Sequence, residues 1–224
     1  MLKIEANSYI TSDLHMVHRN IIKYCDRPYE MTPEGIAQMK EDLLSQFDKL
    51  PEECVVWNLG DLYDTKPDHS LDEVRRDVKR MKGPAGKRKL YLVLGNHDCC
   101  KHKRSRINFY YVAGFDKVYD SPVIVNDKFI FSHEPVYIKP GSDFINVYGH
   151  THDIPIDTSY FTKDFDNWAM IARVCRKDGL PEPKIEDFIK WPEKVVEMDN
   201  YYNACWDYRH EILNLNKIIS SYNK

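Results

Sequence analysis

The chain has 224 residues, of which 42% are hydrophobic and 30% charged, and a net charge of −3 at neutral pH. That is enough chain for one full core and too apolar a composition for disorder, and it lacks the basic excess that draws a protein to nucleic acid or anionic membrane. No apolar run approaches the ~20 residues of a bilayer span, and the opening MLKIEANSYI has no secretory apolar region, so the expected location is cytoplasmic and no membrane partner is expected.

In chain order, NSYITSD (7–13) reads as a short strand ending in polar residues. Thr32 as N-cap and Pro33 in the first turn open a helix to about Leu50, with Ile36, Met39, Leu43 and Phe47 on one face. CVVWNLGD (54–61) is a buried strand running into a glycine. Ser70 and Glu73 form a capping box for a helix with Leu71, Val74, Val78 and Met81 on one stripe. KLYLVLGNHD (89–98) is the next strand, and SPVIVNDKFIFSHE (121–134) is a hairpin turning at Asn126-Asp127. DFINVYGHTH (143–152) is another strand, NYYNACWDY (200–208) a last one, and 211–222 a last helix with Ile212, Leu215, Ile218 and Ile219 inward. Strand and helix alternate, then strands dominate, which predicts an α/β chain with a mixed sheet or two stacked sheets. The whole, 1–224, is expected to be one domain, interrupted over about 154–198 by a mostly helical insertion rich in charge, Pro and Trp.

Five of these strands end alike. SDLH (12–15), NLGD (58–61), VLGNHD (93–98), SHEP (132–135) and YGHTH (148–152) each set polar, metal-competent side chains where a strand stops. In open α/β sheets that edge is where loops converge and ligands bind. A lone NHD after a strand is more often a turn, and a single buried His is usually a satisfied core residue. Five such clusters at five strand ends are hard to explain by turns.

With His97 set aside, Asp13, His15, Asp61, Asn96, His133, His150 and His152 make a shell for two divalent cations. The mixture of imidazole, carboxylate and amide donors favours a borderline metal: manganese first, with Fe, Zn, Ni or Co also matching. Six cysteines without a C-x-x-C pair read as small thiols of a reducing compartment, not as a disulfide framework or a zinc-thiolate site. Two divalent ions, two aspartates and a bridging hydroxide leave a centre of about +1, which attracts an anion and activates water. In-line attack on phosphorus by such a hydroxide is the chemistry expected.

The ordered blocks SDLH, GD, GNHD, SHEP and GHTH resemble those of the calcineurin-like metallophosphoesterase superfamily, and SDLHMVHRNIIKYCDRPY (12–29) is similar to the opening of a small bacterial and phage phosphoesterase group. The resemblance implies a four-layer α/β/β/α sandwich with two mixed sheets, and YYNACWDY looks like its closing strand. It implies one metal on Asp13, His15, Asp61 and His152, and the other on Asp61, Asn96, His133 and His150, with Asp61 bridging. His97 would act on the phosphoryl group or leaving oxygen, with Asp98 orienting its ring. The function implied is a phosphatase or phosphodiesterase acting on a small or nucleotide-like phosphoester. A nuclease acting on DNA or RNA with the same site is the alternative, and a non-catalytic scaffold is disfavoured because every ligand position is filled. Protein serine/threonine phosphatases carry Asp-Arg-Gly after the second block, where this chain has GDLYDTK.

Other candidates stand outside the blocks. His18, Arg19 and Asn20, at a helix start, read either as a phosphate or substrate contact or as helix capping. KHKRSR (101–106) reads as a solvated face before a polyanion-steering patch. Trp57, Trp168, Trp191 and Trp206 are expected to pack. The sequence does not settle the oligomeric state.

Overall fold

A computed structural model describes residues 2–64, 70–99, 106–139, 141–154, 156, 181 and 198–222. The insertion expected over 154–198 therefore lies almost wholly outside the described residues, as do 101–105 of the basic run, Trp168 and Trp191.

Two mixed sheets form the framework. The first has the order β4-β3-β2-β1-β9, from β1 (Ser8–Thr11), β2 (Val55–Asn58), β3 (Lys89–Val93), β4 (Lys117–Tyr119) and β9 (Leu213–Asn214). Its first four strands are parallel, and β9 is antiparallel to β1. The second sheet has the order β5-β6-β7-β8, from β5 (Val123–Val125), β6 (Phe129–Ser132), β7 (Ile145–Tyr148) and β8 (Tyr201–Asn203). Here β5 and β6 form the expected hairpin, and β6, β7 and β8 run parallel. Asn126 and Asp127 both take left-handed φ, 50° and 58°, in the three-residue connection Asn126–Lys128 between the paired Val125 and Phe129, the backbone sense that suits the strand twist.

Among the described residues the helices are α1 (Ile21–Tyr24), α2 (Pro33–Asp48), α3 (Leu71–Met81), α4 (Ile107–Ala113), α5 (Trp206–Arg209) and α6 (Leu215–Ser221). Thr32 accepts from Gly35 N to cap α2, and Ser70 and Glu73 complete the capping box of α3. Met39, Leu43 and Phe47 of α2 and Val74, Val78 and Met81 of α3 pack on Val56, Leu90 and Leu92 of the first sheet. The opposite face of that sheet meets the second sheet through Ile10, Trp57, Tyr91, Phe129, Phe131 and Val147. Trp57 is the joint: its ring lies 4.9 Å from Tyr91 and 5.0 Å from Phe131, both edge-on. Each such pair contributes ~0.5–1.5 kcal/mol beyond the area it buries. On the outer face of the second sheet, Ile138, Tyr148, Ile156 and Tyr201 form a third, smaller cluster.

Two expectations near the end of the chain need correction. NYYNACWDY is a strand only over Tyr201–Asn203. The Asn203 side chain then accepts from Cys205 N, and the chain turns into α5. The last helix starts at Leu215 rather than 211, because Leu213 and Asn214 first pair antiparallel with Ile10 and Tyr9. A two-residue strand leaves no period to read. The helix start expected at His18–Asn20 is α1, which begins at Ile21, whereas α4 and β4 lie where no element is expected.

Candidate metal centre

Because β1, β2 and β3 are parallel neighbours, and β6, β7 and β8 are too, the C-terminal ends of both sets meet at one edge. Main-chain bonds stitch the exits together: Asp13 N to Gly60 O (3.0 Å), His15 N to Asp61 O (2.9 Å), Gly149 N to His133 O (2.8 Å) and Trp206 N to Ser12 O (2.9 Å). Five residues at these exits take left-handed backbone: Asp13 (φ 57°), His15 (47°), Asp61 (53°), His150 (70°) and His152 (52°). Asp tolerates this region better than most residues, and so does His. It turns the chain sharply enough for residues two apart, Asp13 with His15, to face one point.

The structure brings all seven expected donors to that edge. Asp13, His15 and His152 form one group and Asp61, His133 and His150 another, each with donor atoms within 4.8 Å of one another. Asp61 lies between them, its Oδ2 3.5 Å from His15 Nε2 and 3.4 Å from His133 Nε2. Asn96 joins the second group, with Oδ1 2.9 Å from His133 Nε2 and 3.1 Å from His150 Nδ1.

The unused atoms of these residues fit divalent cations. Asp13 Oδ2 accepts from His150 N and from the Cys205 thiol, yet its Oδ1 is buried with no hydrogen-bond partner, as are both ring nitrogens of His15. Buried polar atoms are rarely left so. His133 spends Nδ1 on the Leu59 carbonyl at 2.9 Å, and His152 spends Nδ1 on Asp207 Oδ2 at 2.7 Å. In each ring this leaves Nε2 as the donor, the arrangement in which an outer partner orients a ligating histidine.

The electrostatics divide each group in the same way. Burial drives His15 well below the ordinary imidazole range, and it also lowers His150. Burial acts in the same sense on His133, but the Asp61 carboxylate outweighs it and raises that ring to about 9. At His152 burial is outweighed by the hydrogen bonds to Asp207 and Cys25, which raise it to about 10. Burial would raise Asp61, but the neighbouring histidines hold it low. Each group thus pairs one neutral ring with one protonated ring.

The calcineurin-like phosphoesterase family signature matches residues 7–215. The chain belongs to that family. A Methanocaldococcus jannaschii protein described as uncharacterized, MJ1445, is 30% identical over 216 residues, 96% of each chain. A crystal structure of a protein of unknown function from Aquifex aeolicus, AQ665, shares the fold over 96% of this chain and 98% of its own, with a TM-score of 0.51 and 19% identity. The Pseudomonas putida nuclease MPE overlaps 65% of this chain and 62% of its own, with a TM-score of 0.41 and 21% identity.

His97 stands at the rim of this edge, its side chain 27% exposed. The role expected of Asp98 is overturned. Its carboxylate is fully buried and accepts from Asp61 N (2.7 Å), Gly95 N (2.9 Å) and Tyr110 Oη (2.6 Å). It therefore supports the Asp61 loop, and burial followed by the Asp61 charge raises it to about 6. The carboxylate against His97 is Asp64, with Oδ1 3.2 Å from Nδ1. Neighbours in a turn point in different directions, whereas Asp64, three residues after Asp61, comes round to the site.

Gly95 is needed for space rather than for backbone freedom. Its φ is not left-handed, and a Cβ there would collide with Asp61 Oδ1. Of His18, Arg19 and Asn20, only His18 reaches the site, its ring 5.3 Å from both His15 and His97. Arg19 and Asn20 are exposed, and the Asn20 side chain does not cap α1. Sequence reasoning missed Asp64, visible in GDLYD, and also Cys25, Arg27, Cys205 and Asp207.

Beside Asn96 and His133 opens a cleft of about 490 Å³, walled by Leu94, Pro122, Pro135, Val136 and Tyr137. A hollow of about 570 Å³ at the opposite ends of the strands is lined by Glu5, Glu53, Lys87 and Lys89. Its charges pair with one another, Lys87 with Glu53 and Lys89 with Glu5, and neither of the two donor groups lines it. No described helix is long and apolar enough to cross a membrane.

Proposed function

We propose that the protein is a dinuclear-metal-dependent phosphoester hydrolase acting on a small or nucleotide-like ester. The observation that carries this reading is the pair of donor groups on either side of Asp61. Asp13, His15 and His152 would hold one cation and Asn96, His133 and His150 the other, with Asp61 reaching both. Two divalent cations, when bound there, supply the Lewis acidity that polarises a phosphoryl oxygen and lowers the pKa of water. Manganese is the first choice, since imidazole and oxygen donors mix at the site without a thiolate among them.

The chain's own residues do the rest. His97 directs Nδ1–H to Asp64, which leaves Nε2 for the substrate; in its imidazolium form, with a proton on each nitrogen, the ring would give the Nε2 proton to the departing alkoxide oxygen. Asp64 would hold the ring in that orientation. His18, beside His97 and Asp64 (Nε2 to Oδ2 3.8 Å), would contact the non-bridging oxygens. The cleft next to Asn96 and His133 would take the ester's organic group, and its volume falls within the ~300–1,000 Å³ usual for ligand sites.

The test is a screen of metal-free protein reloaded with Mn²⁺, Fe²⁺, Zn²⁺, Ni²⁺ or Co²⁺. Substrates would be phosphomonoesters, phosphodiesters, cyclic nucleotides and single- and double-stranded DNA. Hydrolysis of small esters that chelation abolishes is expected. Loaded protein that cleaves none of these would sink the reading, and cleavage of DNA alone would replace it with a nuclease.

A further inference from the structure

Arg27 and Asp207 lie 180 residues apart in sequence and meet in the interior, each 7% exposed. Arg27 Nε donates to Asp207 Oδ1 at 2.6 Å and Nη2 to Oδ2 at 2.9 Å. The guanidinium does not stop there. Nη2 also donates to the Asp13 carbonyl at 2.9 Å and Nη1 to the Leu14 carbonyl at 2.8 Å. Asp207 Oδ2 in turn takes the His152 Nδ1 contact at 2.7 Å. One ion pair therefore touches the main chain that carries Asp13 and His15 and the ring of His152. These are the three donors of one group. Among the described residues nothing comparable reaches His133, whose ring rests on a main-chain carbonyl.

A role in stability alone explains this poorly. A buried ion pair is often no more stabilising than apolar residues of the same shape, and a pair kept for stability has no need to share an acceptor with a histidine. We propose that Arg27 and Asp207 are positioning residues for the Asp13–His15–His152 group. They fix the Asp13–His15 turn from beneath and hold the His152 ring so that Nε2 faces that turn, and the donor set is thereby assembled before a cation arrives. The inference rests on the dinuclear reading above for its metal and on hydrogen bonds alone for its geometry.

Two variants of the full chain test it: Asp207→Asn, which keeps the shape and removes the charge, and Arg27→Met with Asp207→Leu, which removes both buried charges together and so avoids stranding one. Calorimetric titration of metal-free protein with Mn²⁺ should show two sites in the parent. In Asp207→Asn one site should weaken by ~10–100-fold, as for other outer partners of metal ligands, while the second stays unchanged. In a His152→Ala background the same substitution should add only the smaller part that reaches the Asp13–His15 turn through Arg27. Equal weakening of both sites, or an undiminished effect without His152, would overturn the proposal. A second readout needs no metal. In chelator, the His152 Nδ1 proton should be a slowly exchanging NMR signal in the parent and be lost in the Arg27→Met/Asp207→Leu variant; its survival there would also overturn the proposal. A parent that binds no Mn²⁺ defeats the dinuclear reading, and the NMR result then decides the positioning by itself.

Discussion

The two donor groups are chemically alike and held by different means. In the Asp61–His133–His150 group, the histidine is oriented by the Leu59 main chain, an acceptor that no side-chain substitution removes. In the Asp13–His15–His152 group, the histidine is oriented by a carboxylate that is itself held by an arginine. The first arrangement is local, built where neighbouring strands stop. The second gathers residues from both ends of the chain. The lesson is that one half of the site comes with the sheet, whereas the other depends on side chains that single substitutions can take away.

The largest effect should come from the residue the halves share. Asp61→Asn removes the charge between them, so both cations should be lost together in elemental analysis. Turnover should fall by more than the ~10–100-fold typical of an outer partner. Retention of either cation would show that the halves do not depend on a common carboxylate.

His97→Asn touches neither group, so two cations should remain while turnover drops by ~10²–10⁴-fold, the usual cost of removing a positioned acid. An ester with a very good leaving group should be spared most of that loss. Asp64→Asn should follow the same pattern more weakly, while Asp98→Asn should show itself chiefly in thermal stability, because it supports the Asp61 loop. If His97→Asn strips the metals, His97 is a ligand and its assignment here is wrong.

Proton release compares the halves directly. His133 and His152 lie above the ordinary imidazole value in the metal-free protein, at about 9 and about 10. Raised histidines contribute stability that is complete below about pH 6.5 and is lost as the pH climbs through those two values. The metal-free protein should therefore lose thermal stability between about pH 6.5 and 10. Cation affinity should rise over the same range, because each cation must displace one proton. Calorimetry in buffers of different ionisation enthalpy should count about two protons released per chain near pH 7.5. The smallest effect belongs to residues outside both halves: Arg19→Ala and Asn20→Ala, both exposed, should change kcat/KM by less than about threefold. A loss of ~10²-fold in either would return that residue to the substrate site.

The donors of both halves were legible in sequence, and only the support beneath the second half was not. An apolar run broken by glycine and followed by Asp, Asn or His marks a strand end, and five of them announced the donors. Capping chemistry placed α2 and α3 for the same reason: the signal lies within a few residues. What could not be read depends on distance. Nothing in CDRPY or CWDY says that Arg27 and Asp207 meet. Nor does His97-Asp98, adjacent in sequence, reveal that the second side chain turns down into the core while Asp64 takes its place. The edge strand β9 was missed because two residues define no alternation.

The left-handed backbone at Asp13, His15, Asp61, His150 and His152 sets stability against chemistry. An L-residue held there costs ~1–2 kcal/mol relative to a relaxed backbone, somewhat less for Asp, and glycine would relieve most of it. Five such positions together rival a sizeable part of the ~5–15 kcal/mol by which folded domains are stable at all. Glycine at any of them would relieve that backbone cost while deleting a donor. Selection for robustness alone would then erode the site from its backbone outward. A relative that had abandoned its chemistry would be recognised by glycines at these five positions, and one that kept Asp and His there would be showing that the strain is still worth bearing.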